Sequence, residues 1–265
     1  MTRADWPRFE VDTGFVGRGL YYHNHVALAD GASSVAGIYG PTSISFTEFP
    51  GSTTAMQYVA EGVIGPVTNY DPVAIPSSAS NPRPFHNSTA TPGRNGGTTA
   101  FAFGLWFKFD VKTHDQVPIS QYRPQSSRYI WRLRYETSAD RMVWQVHDTT
   151  EVASATAAAT VTANNHGAIT TGEWHFALGY WDGSTEVGIS VDGSAFDTDT
   201  FSGTVAQDGT ATITVGADDG GDDPVDGQVG GVFWYSADLP GINEVRALWG
   251  GGGGSRLLYP RREQT

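Results

Sequence analysis

Gly172-Glu-Trp-His-Phe-Ala-Leu-Gly-Tyr-Trp-Asp-Gly-Ser-Thr-Glu-Val-Gly-Ile-Ser-Val-Asp-Gly193 is the stretch that decides the fold. Trp174, Phe176, Leu178 and Tyr180 fall at every second position, the period of a strand with one buried face. Asp182-Gly183 supplies a turn, because glycine takes positive φ without steric cost. Val187, Ile189 and Val191 then alternate in the same way, and Asp192-Gly193 turns the chain again. The stretch predicts two antiparallel strands in the wall of a β-sandwich.

The same alternation continues outward in both directions. Phe101, Phe103, Leu105, Phe107 and Phe109 make one face of a strand, and Ala102, Gly104, Trp106 and Lys108 the other. A sandwich has two layers to fill, and Trp106 is read as filling the second. Tyr129, Trp131, Leu133 and Tyr135 alternate with Ile130, Arg132 and Arg134. A turn over Glu136 to Arg141 brings Met142, Trp144 and Val146 back opposite them. The Thr and Val content of Ala153 to Ala163 favours an edge strand or extended loop over helix. Ile44/Phe46 and Met56/Tyr58 mark early strands. Asn69 to Thr99, with its prolines and few apolar residues, reads as a long surface loop. Residues 1–41 carry Trp6, Phe9, Phe15, Tyr21 and Tyr22 without a clear period and read as an irregular arm. Residues 250–265 open with a glycine run and form a flexible tail with Arg256, Arg261 and Arg262.

Several of these segments, taken in order, resemble the laminin-G-like domains of the concanavalin A-like lectin/glucanase superfamily. Gly-Glu-Trp-His-Phe-Ala, Tyr-Trp-Asp-Gly and Ile-Ser-Val-Asp-Gly, all within residues 172–193, resemble the core of such domains. Phe101 to Asp110 resembles their early central strand, and Ile213 to Gly216 with Gly227 to Tyr235 the last two strands. Leu239 to Trp249 resembles the short helix that often closes them. The resemblance spans residues 42–249. It implies an all-β, two-sheet antiparallel jelly-roll sandwich, preceded by the irregular arm and followed by the tail.

Composition limits the function. The chain has 265 residues and a net charge of −12, with sixteen Asp or Glu and no Lys or Arg between Met142 and Val245. Such a surface repels phosphates and anionic headgroups, so neither nucleic acid nor membrane is an expected partner. No apolar run reaches membrane-spanning length. The absence of cysteine removes disulfides, thiol catalysis and thiolate metal sites. Residues 1–6 show no basic region followed by an apolar stretch, so no secretory signal is visible.

Glycosidases that retain configuration on this fold carry Glu-x-Asp-x-x-Glu or Glu-x-Asp-x-Glu, which puts two carboxylates on one strand face; neither pattern is present. The acidic loop from Asp218 to Asp226 offers Asp219, Asp222 and Asp223 as oxygen ligands for calcium, the alternative being a solvated turn. Asp197 and Asp199 are a second, weaker pair. His23 and His25 share a face if their segment is extended, but no third ligand is apparent; His175 reads as a surface or inter-strand histidine. Asn87-Ser-Thr89 fits a glycosylation sequon that the missing export signal makes accidental. Arg132, Arg134 and Gln145 project opposite the aromatic face, and planar hydrogen-bonding side chains of this kind suit sugar hydroxyls.

These features point to a non-enzymatic adhesion or structural module with glycan recognition. A laminin-G-like module normally works outside cells. Without an export signal the setting that fits is a virion, as a phage head-decoration, tail or fibre component. The expected partners are other copies of the chain, other virion proteins and cell-surface glycans. The competing readings are a glycan hydrolase or lyase on the same fold, or an exported bacterial lectin.

Overall fold

The computed structural model describes residues 20–23, 56–59, 67–70, 85–87, 99–123, 128–148, 154–159, 168–201, 203–205, 211–218, 223–236 and 239–249. Alternating aromatic and β-branched residues give fourteen strands there: β1 Leu20–His23, β2 Met56–Val59, β3 Val67–Tyr70, β4 Phe85–Asn87, β5 Phe101–Phe109, β6 Gln116–Arg123, β7 Arg128–Glu136, β8 Arg141–His147, β9 Ser154–Ala159, β10 His175–Trp181, β11 Glu186–Val191, β12 Asp197–Thr200, β13 Thr212–Val215 and β14 Gly227–Ser236. One helix, α1, covers Ile242–Trp249, where a short closing helix is expected.

The strands make two wholly antiparallel sheets. The first has eight strands in the order β12-β11-β10-β5-β14-β3-β2, with β1 also on β14; the second has six in the order β4-β13-β6-β7-β8-β9. At ten residues, β14 is long enough to take two strands on one edge. β3 pairs with Gly227 to Val229, and β1 pairs with Val232 to Tyr235. Four residues of the N-terminal arm therefore form a strand of the first sheet. The stretch read as a surface loop over Asn69 to Thr99 also holds a strand: β4 pairs with β13, Phe85 opposite Val215. Only three residues long and preceded by proline, β4 carries no pattern to read, and an edge strand needs hydrogen bonds on one side alone. β9 is an edge strand, as its composition predicts.

The core between the sheets is aromatic. Phe101, Phe103, Leu105, Phe107 and Phe109 of β5 are buried together with Trp131, Leu133 and Tyr135 of β7 and Trp144 and Val146 of β8. Phe103 stacks on Trp131 at 4.1 Å, and Trp131 on Trp144 at 5.3 Å. Burial of each Phe or Leu contributes roughly 1.5–3 kcal/mol.

The deciding strand sits the other way round from its simplest reading. β10 is buried on both faces. Ala177 and Trp181 join the core between the sheets. Phe176, Leu178 and Tyr180 instead form a second cluster with Ala102, Trp106, Tyr235 and Val245, and Trp174 is half-buried at its margin. That cluster lies on the outer face of the first sheet, under α1, where Trp249 stacks on Trp106 at 4.8 Å. Arg246 of α1 donates through Nε to the Gly193 carbonyl at 3.0 Å. The reason is volume. Trp144 from the opposite sheet presses so close to Gly179 that a Cβ there would stand 2.2 Å from its Cδ2. The large rings of β7 and β8 fill the interior, so β10 turns Ala177 and Gly179 toward them, keeps only Trp181 large on that face, and gives Phe176, Leu178 and Tyr180 to the helix side. Trp106 does fill a second layer, the one beneath α1.

Two turns form as their sequences predict. Asp182 Oδ1 accepts the N–H groups of Ser184, Thr185 and Glu186 at 2.8, 2.8 and 2.9 Å. Asp192 and Gly193 both take positive φ, 52° and 70°, as a tight hairpin turn requires.

Candidate functional site

The outer face of the second sheet carries the sequence-predicted sugar ligands, and a β-bulge shapes it. Going along β6, the register passes from Gln121 opposite Trp131 to Tyr122 opposite Tyr129, leaving Ile130 as the extra residue. Ile130 is buried in the core beside Trp131. The bulge turns Tyr129 to the other side, away from Trp131 with which simple alternation grouped it, and sets it beside Arg132. The Arg132 guanidinium carbon lies 4.2 Å above the centre of the Tyr129 ring.

Gln145 faces Arg132 across the β7–β8 pairing and accepts from its Nε at 2.5 Å. The same register line runs from Thr214 through Ser120, Arg132 and Gln145 to Thr156, a polar row across five strands. Tyr129, Arg132 and Gln145 are each partly exposed.

The Tyr129 hydroxyl donates to Asp218 Oδ2. Asp218 is the first acid of the loop after β13 and is buried, 4% exposed; the chain leaving β13 turns back toward the start of β7 to make this contact. Burial first, and then the Asp218 carboxylate, push the Tyr129 phenol well above its ordinary value of 10. It stays protonated and donating across the neutral range.

Arg134, the third predicted sugar ligand, is not part of this group. It is ion-paired with Asp115 in the β5–β6 connection, whose Oδ1 also accepts from Thr137 N at 2.8 Å. Partial burial alone would raise the Asp115 carboxyl, but the Thr137 N–H and the Arg134 guanidinium outweigh it and hold it below 3.8. Arg134 thus secures the turn that follows β7.

Of the calcium candidates, Asp223 is described and Asp219 and Asp222 lie outside the described residues. Asp223 takes a left-handed φ of 48°, its carbonyl accepts from Val117 N at 2.8 Å, and its charge adds to the field on Tyr129. Val225 N donates to the Gly216 carbonyl at 2.7 Å, and Asp226 N to Gln116 Oε1 at 2.8 Å. The end of the loop is thereby stitched across its own base and to the start of β6. Among the described residues no three His, Asp or Glu side chains converge as metal ligands. Asp197 and Asp199 lie on the edge strand β12. His23 ends β1, while His25 lies outside the described residues, as do Ser88 and Thr89 of the sequon.

His175 is neither at the surface nor idle. It is buried, 5% exposed, beside Phe107. Thr170 N donates to its Nε2 at 3.1 Å, so the ring proton sits on Nδ1 and is donated to Asp192 Oδ2 at 2.7 Å. Asp192 Oδ1 accepts from Phe176 N at 2.8 Å. Both imidazole nitrogens are spent on locking the loop before β10 to the turn after β11, which leaves none for a reacting group.

Tyr129 and Asp218 are the site residues that alternation alone misses. The run Tyr129-Ile130-Trp131 carries no deciding signal, because three large apolar residues in a row fit a strand buried on both faces as well as a bulge.

Residues 83–241 match the laminin-G family described as the concanavalin A-like lectin/glucanases superfamily. No curated protein matches the sequence. Among solved structures the chain is similar to the binding domain of Paraclostridial Mosquitocidal Protein 1, at 11% identity and a TM-score of 0.60, over 89% of this chain and 53% of that one. It is similar to the binding domain of Botulinum neurotoxin serotype G, at 11% identity and 0.55, over 86% and 50%. It is also similar to Trypanosoma rangeli sialidase in complex with the inhibitor DANA, at 11% identity and 0.55, over 86% and 32%. The chain spans about half the length of the two toxin domains and a third of the sialidase. At such identities the likeness is one of fold. The family match covers well over half of the 265 residues and takes in the central strands of both sheets, and the chain belongs to the laminin-G-like domains of the concanavalin A-like lectin/glucanase superfamily.

Proposed function

We propose that this chain is a non-catalytic carbohydrate-recognition module that holds a saccharide on the outer face of its second sheet, at Tyr129, Arg132 and Gln145. One observation carries the reading: the Arg132 guanidinium carbon lies 4.2 Å from the centre of the Tyr129 ring and its Nε donates to Gln145, yet no carboxylate pairs with it among the described residues. Its terminal amino groups remain for a ligand. A planar donor fork matches neighbouring hydroxyls, and a side chain already fixed on its ring loses little freedom on binding. The fold likeness to two toxin binding domains is in keeping with recognition.

The non-catalytic part rests on chemistry. Burial and Asp218 hold the Tyr129 phenol protonated, the opposite of what a tyrosine nucleophile needs. His175 has no free ring nitrogen for proton transfer.

Calorimetric titration of the purified chain against a panel of neutral and acidic oligosaccharides tests the reading. Losing the charged donor in Arg132→Ala weakens binding about tenfold to a hundredfold. Gln145→Ala weakens it less. Unchanged affinity in a folded Arg132→Ala variant refutes the site. Saccharide hydrolysis abolished by a single Asp or Glu substitution refutes the non-catalytic reading. We place the module in adhesion or assembly at a virion surface, as a head-decoration, tail or fibre component meeting copies of itself or other virion proteins. Antibody labelling of purified particles tests that setting, and its failure leaves the sugar site untouched.

A further inference from the structure

Helix α1 covers only part of the outer face of the first sheet. Val245 and Trp249 lie over the cluster of Ala102, Trp106, Phe176, Leu178 and Tyr180. One step further along β5 the next outward residue is Lys108, and the apolar cover ends there. Lys108 pairs in register with Gln228 of β14; Gln228 pairs with Asn69 of β3, and Asn69 with Gln57 of β2. On the other side of β5, His175 stands opposite Phe107, so Trp174, just before β10, falls beside Lys108. Five residues of one face, Gln57, Asn69, Gln228, Lys108 and Trp174, thus form a line across the sheet. At roughly 4.8 Å between strands the line runs about 19 Å.

We propose that this line is a second binding site, for a carboxylated oligosaccharide laid across the strands. It is separate from the Tyr129–Arg132–Gln145 site on the other sheet and does not depend on it.

Charge is the first argument. The chain has 28 acidic against 16 basic side chains and two lysines in all. Lys112 is consumed by Asp140 at 2.8 Å and the Ile169 carbonyl at 2.6 Å. Lys108 has no carboxylate partner among the described residues. Its ammonium sits 5.8 Å from the centre of the Trp174 ring, and both side chains are partly exposed. In so acidic a chain, an ammonium kept clear of carboxylates is placed for the carboxylate of a ligand. The second argument is the composition of the line. Tryptophan offers a face for the C–H side of a sugar ring. The amide of Gln228 is partly exposed and makes no hydrogen bond to protein among the described residues. Asn69 and Gln57 follow Gln228 in register on β3 and β2. A single cation followed by amides suits one carboxylate followed by hydroxyls. It does not suit nucleic acid or another polyanion, which a net charge of −12 repels.

Titration calorimetry with sialyllactose and with a xylotriose bearing a single glucuronate tests this, each beside its carboxyl-reduced counterpart. Lys108→Gln, Gln228→Ala, Trp174→Ala and Arg132→Ala are the variants, with melting curves to confirm folding. At least one carboxylated sugar is expected to saturate the wild type at millimolar concentration or below. Its reduced form binds at least tenfold more weakly, Lys108→Gln loses at least tenfold for the acidic form only, and Arg132→Ala loses nothing. Lys108 and Gln228 point outward, so their variants report even if Trp174→Ala fails to fold. The proposal is overturned if none of these acidic sugars saturates, if the reduced form binds as well, or if Lys108→Gln stays within twofold. Equal binding of a short polyglutamate overturns it too, as charge without sugar recognition. Acidic binding lost in Arg132→Ala but kept in Lys108→Gln removes this site and leaves the one on the second sheet standing.

Discussion

Replacing Gly179 by alanine tests which face of β10 meets the opposite sheet. The added Cβ would lie 2.2, 2.4 and 2.5 Å from Cδ2, Cε3 and Cγ of Trp144. Comfortable carbon–carbon contact is about 3.5–4.0 Å, so one side must yield by more than about 1 Å. Trp144 has nowhere to go: it is wholly buried, stacked on Trp131 at 5.3 Å and edged by Phe101 at 6.3 Å. Gly179 is held by hydrogen-bonded strands on both sides, Phe103 opposite on β5 and Ile189 on β11. Overpacking a core costs about 1–3 kcal/mol and occasionally more, and with both partners immobile we place Gly179→Ala near about 3 kcal/mol. At about 2–4 °C per kcal/mol for a domain of this size, Tm falls by about 6–12 °C. Differential scanning calorimetry measures it. Gly241→Ala is the control, because nothing lies within 4 Å of a Cβ there; its Tm stays near the wild type. Trimming the ring in Gly179→Ala/Trp144→Leu gives a combined loss smaller than the sum of the two. A Gly179→Ala protein melting within about 2 °C of wild type would mean that Trp144 does not rest on Gly179, and the assignment of the two faces of β10 would fall with it.

Asp192→Asn keeps the left-handed turn, which asparagine tolerates, but sets an amide donor against His175 Nδ1–H while Thr170 N–H already occupies Nε2. One buried donor is then unmet, and urea unfolding gives a loss of about 1–3 kcal/mol; no loss refutes the lock. On the acid side, partial burial would raise Asp140, but Lys112 and Tyr135 prevail and hold it below 3.8, as Thr137 and Arg134 do for Asp115. A depressed carboxyl stabilises the fold above its unfolded pKa, and that stability drains as pH falls through the lower folded value. Tm is therefore level down to about pH 5 and drops below about pH 4, and Asp140→Asn shallows the drop. Tyr129 and Tyr180 are raised above 10, chiefly by burial and then by Asp218 and Glu186. Their sign is opposite: stability is complete below about pH 10 and declines as pH climbs beyond it, since the unfolded chain releases protons the native one keeps.

The architecture was readable because strands write themselves locally. Phe101 to Phe109, Trp131 to Tyr135 and the two hairpin turns each carry their period or turn chemistry within ten residues. What local pattern could not supply was direction. A run such as Phe176, Leu178 and Tyr180 states that a face is buried, not against what. Its partner, α1, lies some seventy residues on, and the Trp144 that excludes bulk from the other face lies some thirty residues back. A strand buried on both sides has two apolar faces, and the larger residues need not be the inner ones. Short edge strands escaped for the converse reason: β4 and β1 exist because β13 and β14 offer free edges, a property of the sheet and not of Phe85–Asn87 or Leu20–His23.

Sites on a sheet face are hidden more deeply still, because register assembles them. Arg132 and Gln145 are 13 residues apart and could be paired on paper, since a single turn separates their strands. Tyr129 and Asp218 are 89 apart, and their meeting needs both a bulge at Ile130 and a chain that turns back after β13. Arg134 shows the opposite error. By alternation it is the equal of Arg132, yet Asp115 takes its fork and Thr137 shares the carboxylate, so the same residue type on the same face becomes structure instead of site. What separates the two arginines is whether a carboxylate reaches them. Lys112, Arg134 and Arg141 each hold a carboxylate, and Arg132 and Lys108 are informative because, among the described residues, no carboxylate reaches either. Each sits beside an aromatic ring and an amide, on the outer faces of opposite sheets, which is why both point to ligands and why they are separable by mutation.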